Sequence, residues 1–381
     1  MPKFSKVFIY SLVAVVILCS GLRECMGSDF SDTASKGLAA YGQYKYDLAI
    51  KYFSQAMEEN TNSAVTYALY ALRSSAYEYS GKYKEALADI NYAIRLDSNS
   101  TNLFLLNANS RNYSIRGAIY EDTSNYDAAL KDFNTAVQID PSFVHGYIEK
   151  AEVHHKKNNF YAMVADCDQA ILLNSNLSQA YQMRADAYRG LGNFDRSLAD
   201  YNKSIGLDSA NSSTYFWKAI LLAENDEYFD AITNLTEVIK LDPQNAWAYA
   251  DRGFCYNEVG NYARGIGDCQ KAIAIDPTST VGYNNLAWLL ATVPDSKLRN
   301  GQKALEYAKK ACELTNWKDP QCLATFAAAN AETGDFRDAV KWQKQAILGL
   351  SGKDLVEAQR LLTLYQQGKP YQIDPNHPTP R

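Results

Sequence analysis

Several common signatures are missing from this sequence, and each absence removes a class of function. There is no surplus of positive charge: 38 Lys and Arg stand against 43 Asp and Glu, a formal net charge of -5. The chain therefore exerts no general electrostatic pull on nucleic acid, and no nucleic-acid partner is expected. Of four histidines, only His154 and His155 are clustered. No H-E-x-x-H, G-x-S-x-G, phosphate-binding loop or paired-carboxylate signature occurs, which weighs against an enzyme and leaves no catalytic residue to nominate. The seven cysteines include no C-x-x-C pair and no zinc spacing, so neither a metal nor a cofactor is implied.

Long apolar runs are also scarce. The one candidate, Val7 to Cys19, is short of the about 20 residues a membrane helix needs. Lys3 and Lys6 precede it and Ser20-Gly21 follows, the pattern of a secretory leader. Residues 1–27 are accordingly expected to be a signal peptide or an uncleaved N-terminal membrane anchor. The body would then be exported, either periplasmic or extracytoplasmic, or held at the membrane by that segment. Leu18 before Cys19 and Glu24 before Cys25 are poor lipoprotein sites, because that cleavage needs a small residue there.

What the chain has in abundance is periodicity. Tyr147, Tyr181, Tyr215, Tyr249 and Tyr283 recur every 34 residues, and a fixed period of that size marks a repeat array. Three residues after each of the first four stands a base (Lys150, Arg184, Lys218, Arg252), followed by a small residue (Ala151, Ala185, Ala219, Gly253). An aromatic comes at +13 (Phe160, Phe194, Tyr228, Tyr262), and Asp166, Asp200, Asn234 and Asp268 come at +19. Apolar residues at helical spacing on either side of a Gly/Asn break predict two amphipathic helices joined by a tight turn, as in Leu191-Gly192-Asn193-Phe194.

The frame Ala248-Tyr249-Ala250-Asp251-Arg252-Gly253-Phe254-Cys255-Tyr256, continuing to Gly260-Asn261-Tyr262, resembles the tetratricopeptide repeat (TPR). The resemblance covers about residues 30–370. It implies an all-α fold, a right-handed α-solenoid (superhelix) of about nine helical hairpins over 28–350, with a C-terminal capping helix at 351–369. Residues 370–381, with Pro375, Pro378 and Pro380, read as a disordered tail. An excess of nine residues before Tyr113 is expected within Asn99 to Arg111, lengthening a loop or the start of a helix. Asn285 to Thr292, Ala311 to Pro320 and the closing Leu364 to Tyr371 are similar to the C-terminal end of many exported or envelope-associated bacterial TPR proteins.

Paired charges in the frame, Arg73 with Asp89, Arg116 with Asp132, Arg184 with Asp200 and Arg252 with Asp268, suggest a structural ladder within or between hairpins. Cys167 and Cys269, at the same frame position, read as core filling. Cys312 and Cys322 could pair in an exported chain.

In the family the first helix of each hairpin lines a concave groove. Carried over, this places Phe216, Trp217, Ile220, Trp247, Phe254 and Trp288 at an apolar end. Asp251 and Glu258 flank them and favour a partner carrying Lys or Arg. His145, Glu149, Glu152, His155, Gln182, Asp186 and Arg189 form a polar end. The clamp that some members use for acidic chaperone tails is not met, since the corresponding pairs are Ile148 with Glu152 and Ala250 with Phe254. The leading expectation is a non-enzymatic scaffold holding a protein segment or partner helix, basic or apolar in character, in a bacterial envelope complex. The alternatives are an assembly subunit docking a membrane or secretion complex through its convex face or ends and, less favoured, an enzyme.

Overall fold

The computed structural model describes residues 32–59, 63–97 and 103–374. The leader or anchor expected at 1–27 lies outside them. Nineteen α-helices make up the described chain, which divides into two compact units, 1–191 and 192–381. The first holds α1 (Asp32–Gly42), α2 (Tyr46–Glu59), α3 (Ser63–Tyr79), α4 (Tyr83–Asp97), α5 (Leu103–Asp122), α6 (Tyr126–Ile139), α7 (Val144–Lys156), α8 (Phe160–Leu173) and α9 (Ser178–Gly190). The second holds α10 (Phe194–Leu207), α11 (Ser212–Glu224), α12 (Tyr228–Leu241), α13 (Ala246–Glu258), α14 (Tyr262–Ile275), α15 (Thr280–Thr292), α16 (Gly301–Leu314), α17 (Pro320–Glu332), α18 (Phe336–Ile347) and the cap α19 (Gly352–Gln366). None of the described helices is long and apolar enough to cross a membrane.

Within each unit the helices pair as antiparallel hairpins stacked side by side, α9, α10 and the cap α19 aside, an all-α solenoid. The turn inside a hairpin needs one residue in left-handed backbone, which glycine adopts freely. Gly81 and Gly260 supply it, each with φ of 76°. Ser124, Asn158 and Asp226 take the same place with φ of 61°, 54° and 63°. The next residue caps the second helix: Asn159 and Asn193 accept hydrogen bonds from the amides of Ala162 (3.4 Å) and Arg196 (3.2 Å).

Between hairpins the aspartate of Leu241-Asp242-Pro243 and of Ile275-Asp276-Pro277 does similar work. Asp242 and Asp276 accept, through Oδ1, the amides two residues on, Gln244 at 3.2 Å and Thr278 at 2.9 Å. The excess residues before Tyr113 lengthen a helix: α5 runs 20 residues, where α7 and α9 run 13.

The small residue at +4 lets the two helices of a hairpin touch. A Cβ on Gly253 would stand 2.7 Å from Cys269 Sγ, and one on Gly117 would stand 2.5 Å from the Phe133 ring. Cys167 and Cys269 are fully buried, and burial raises both thiols far above their ordinary range. They fill core, as the frame implied. Cys312 and Cys322 are buried free thiols, pushed up to about 12 by burial.

The ladder is present and connects more than the sequence suggested. Arg73 meets Asp89 through Nε and Nη2 at 2.7 and 2.9 Å. Arg116 meets Asp132 at 2.6 and 2.8 Å, and Lys150 meets Asp166 at 2.7 Å. Each third arginine nitrogen reaches the second helix of the preceding hairpin, Arg73 to Ser54 Oγ at 2.9 Å and Arg116 to Asn91 Oδ1 at 2.7 Å. Arg184 reaches Asp168 there at 2.6 Å. The anchor tyrosine covers the cation, with Arg116 5.2 Å from the centre of the Tyr113 ring.

Residues 370–374 depart from the disordered tail expected of the sequence. Tyr371 and Ile373 are 6% and 4% exposed, and the Ile373 amide donates to the Thr292 carbonyl at 2.8 Å. The apolar segment gains more by covering α15 than by staying in water. Residues 375–381 lie outside the described chain.

Candidate partner-binding face

In the second unit the first helices of successive hairpins pack on one another, α13 against α15 and α15 against α17. Their outward sides form the inner face of that unit. Residues at -2, +1, +2, +5, +8 and +9 from each anchor tyrosine share this face, because three- and four-residue steps return to one side of a helix.

On α13 the sequence Ala246-Trp247-Ala248-Tyr249-Ala250-Asp251 places Trp247, Asp251 and Phe254 on that side. Trp247 is 55% exposed, unusual for an indole with no functional use. Phe254 is half-buried and meets the Tyr228 ring edge-on at 6.1 Å. Trp217 and Ile220 on α11 are half-buried against the same core cluster.

Asp251 is partly buried and makes no hydrogen bond or ion pair among the described residues. Burial alone raises its carboxyl to about 7. Glu258, two turns beyond, is buried and accepts a hydrogen bond from Asn257 Nδ2 at 2.8 Å.

Two residues expected at the apolar end are not available on this face. Phe216 is 8% exposed, its ring turned inward against Trp217 at 5.4 Å. Trp288 is 7% exposed, because Tyr371 lies over it at 5.8 Å and Arg360 covers Tyr371 at 5.1 Å. The inner face of α15 is thus roofed by the chain's own strap. The open apolar side chains are Trp247 and Phe254 beside Asp251 on α13, with Trp217 and Ile220 of α11 packed against the same core cluster as Phe254.

The polar end lies in the first unit and is densely bonded. Ser114 Oγ donates to Glu149 at 2.5 Å, His145 pairs with Glu149 at 3.3 Å, and Gln179 donates to Glu152 at 3.3 Å. Burial pulls the His145 imidazole down, but the charges of Glu149, Glu152 and Glu121 outweigh it and raise the group. Glu121 is lifted to about 7 by burial, against the pull of Lys156 at 2.5 Å. His154 lies 3.6 Å from Asp166 and is held low by burial, consistent with a packing role. Among the described residues no group of three His, Cys, Asp or Glu could hold a metal ion.

The ladder's third contact escaped the sequence. Its acceptors Ser54, Asn91, Asp168 and Thr236 occupy one place but differ in type, so no single letter repeats.

Tetratricopeptide repeat models match residues 110–143 and 178–211, and a further tetratricopeptide repeat model matches 234–266. No curated protein matches the chain. Among solved structures it is similar to a tetratricopeptide repeat protein from Parabacteroides merdae, 13% identical over 68% of this chain and 98% of that one, with a TM-score of 0.49. It is similar also to the C-terminal part of a TPR repeat-containing protein from Cytophaga hutchinsonii, 17% identical over 66% and 98%, TM-score 0.49. A third is YrrB, described as a TPR protein with an unusual peptide-binding site, 19% identical over 50% and 95%, TM-score 0.42. With the repeat models matching in both units and the same hairpin, turn and ladder recurring through them, the chain belongs to the tetratricopeptide repeat proteins.

Proposed function

We propose that the chain is a non-enzymatic scaffold that binds an extended protein segment or a partner helix along the inner face of its second unit. The observation that carries this reading is Trp247, an exposed indole set beside Phe254 and Asp251 on a helix whose other faces are packed. The paired charges that recur through the frame, Arg73 with Asp89, Arg116 with Asp132 and Arg252 with Asp268, hold hairpins together, a framework role. The basic and apolar leader pattern at Lys3 to Cys19 supports a place in a bacterial envelope, with the N-terminal segment as export signal or anchor.

A second reading has its own observation. Tyr161, Leu172 and Phe229, on second helices, are 79%, 77% and 73% exposed. They would suit an assembly subunit docking through its outer side. The test is recovery of a partner from native membranes by the full chain and by its Trp247→Glu and Phe229→Glu variants. Loss with Trp247→Glu alone supports the inner face. Loss with Phe229→Glu alone supports the second reading and overturns the first.

A further inference from the structure

The ladder shows how this chain recognises a guanidinium. Arg252 lies 5.7 Å from the ring centres of both Tyr249 and Tyr256, and forks onto Asp268 at 2.7 and 3.0 Å. Arg73 and Arg116 repeat the arrangement with Asp89 and Asp132. A carboxylate beside aromatic ring faces is the common element.

The inner face presents the same chemistry outward. Asp251 stands four residues after Trp247 and three before Phe254, so both rings are its neighbours on the surface of α13. Trp217 holds the matching frame position on α11. No cation of the described chain meets Asp251. On its own helix Arg252 is committed to Asp268, and α15 carries no charged residue. The α11 charges Lys218 and Glu224, the α12 charges Asp230, Glu237 and Lys240, and the α14 bases Arg264 and Lys271 make no ion pair with it. Its surroundings otherwise are the buried thiols of Cys255 and Cys269 and the buried Glu258. A desolvated carboxylate with no partner costs stability, and such costs concentrate at functional sites.

We propose that Asp251, flanked on α13 by Trp247 and Phe254, is a subsite for one cationic side chain of the bound segment, arginine ahead of lysine. Arginine fits better because its planar guanidinium can fork onto the carboxylate and stack on an indole together, whereas an ammonium is a point charge. The ligand is thus an extended protein segment with an arginine set among apolar residues. This rests on the inner-face reading above.

Selection of random 12-residue peptides on the immobilised full chain, followed by affinity measurement on the wild type, Asp251→Asn and Trp247→Glu, tests it. The expected result is arginine enriched at one position. Its replacement by glutamine should weaken binding about tenfold to wild type and less than twofold to Asp251→Asn. Asp251→Asn should melt no lower than wild type, which separates lost recognition from lost fold. An equal loss on both proteins, or selected peptides without a cation, overturns the subsite while leaving the inner-face scaffold intact. Peptides whose binding ignores Trp247→Glu overturn both.

Discussion

Arg116 and Asp132 are joined by two parallel hydrogen bonds of 2.6 and 2.8 Å, and the same guanidinium donates a third, to Asn91 of the preceding hairpin, at 2.7 Å. One side chain therefore closes its own hairpin and ties it to its neighbour. Arg116→Met leaves Asp132, 3% exposed, as a buried carboxylate without its cation. The expected cost is roughly 3 kcal/mol, read as a drop in denaturant midpoint. An unchanged midpoint would remove the ladder from the account of stability.

Much of this was readable in advance because each frame position does one physical job with one residue type. Tyrosine covers the cation, arginine forks, aspartate accepts, and glycine or alanine admits the crossing helix. Where the job tolerates several types, the signal vanishes, as with the acceptors Ser54, Asn91, Asp168 and Thr236. Trp288 departs from its frame for a different reason. Its frame position matches an open groove residue, and only the contact with Tyr371, far along the chain, buries it. Repeat periodicity reports neighbours one hairpin away and is silent about such returns.

That return contact makes its own prediction. Tyr371→Ala should uncover Trp288, shifting its fluorescence to longer wavelength, and lower the stability of the C-terminal hairpins by about 3 kcal/mol. A variant with unchanged emission would show that the strap does not shield the indole in solution.

Asp251 links the binding face to pH. Its folded-state carboxyl is raised to about 7, above the ordinary unfolded value of 3.8. Between those values the folded chain keeps a proton that the unfolded chain releases, so stability falls as pH rises from about 4 to 7. Asp251→Asn removes this dependence. It should match wild type near pH 4 and exceed it by roughly 2–4 kcal/mol at pH 8. Equal stabilities at pH 8 would mean the carboxylate is solvated or paired.

The turns offer a gain rather than a loss. Ser124 holds φ at 61°, a conformation that costs a residue with a Cβ about 1 kcal/mol. Ser124→Gly should therefore stabilise the third hairpin by about 0.5–1 kcal/mol in chemical denaturation. A destabilised variant would show that the serine side chain contributes more than its backbone strain removes.

The most direct test of the central claim places a photo-crosslinking benzoylphenylalanine at position 247, on the inner face, and separately at position 229, on the second helix α12. Both sites are well exposed, 55% and 73%, so either tolerates the probe. Irradiation of cells producing the full chain should give a discrete crosslinked partner from position 247 and none from 229. Crosslinking from 229 with none from 247 would contradict the inner-face account and assign the interface to the outer side.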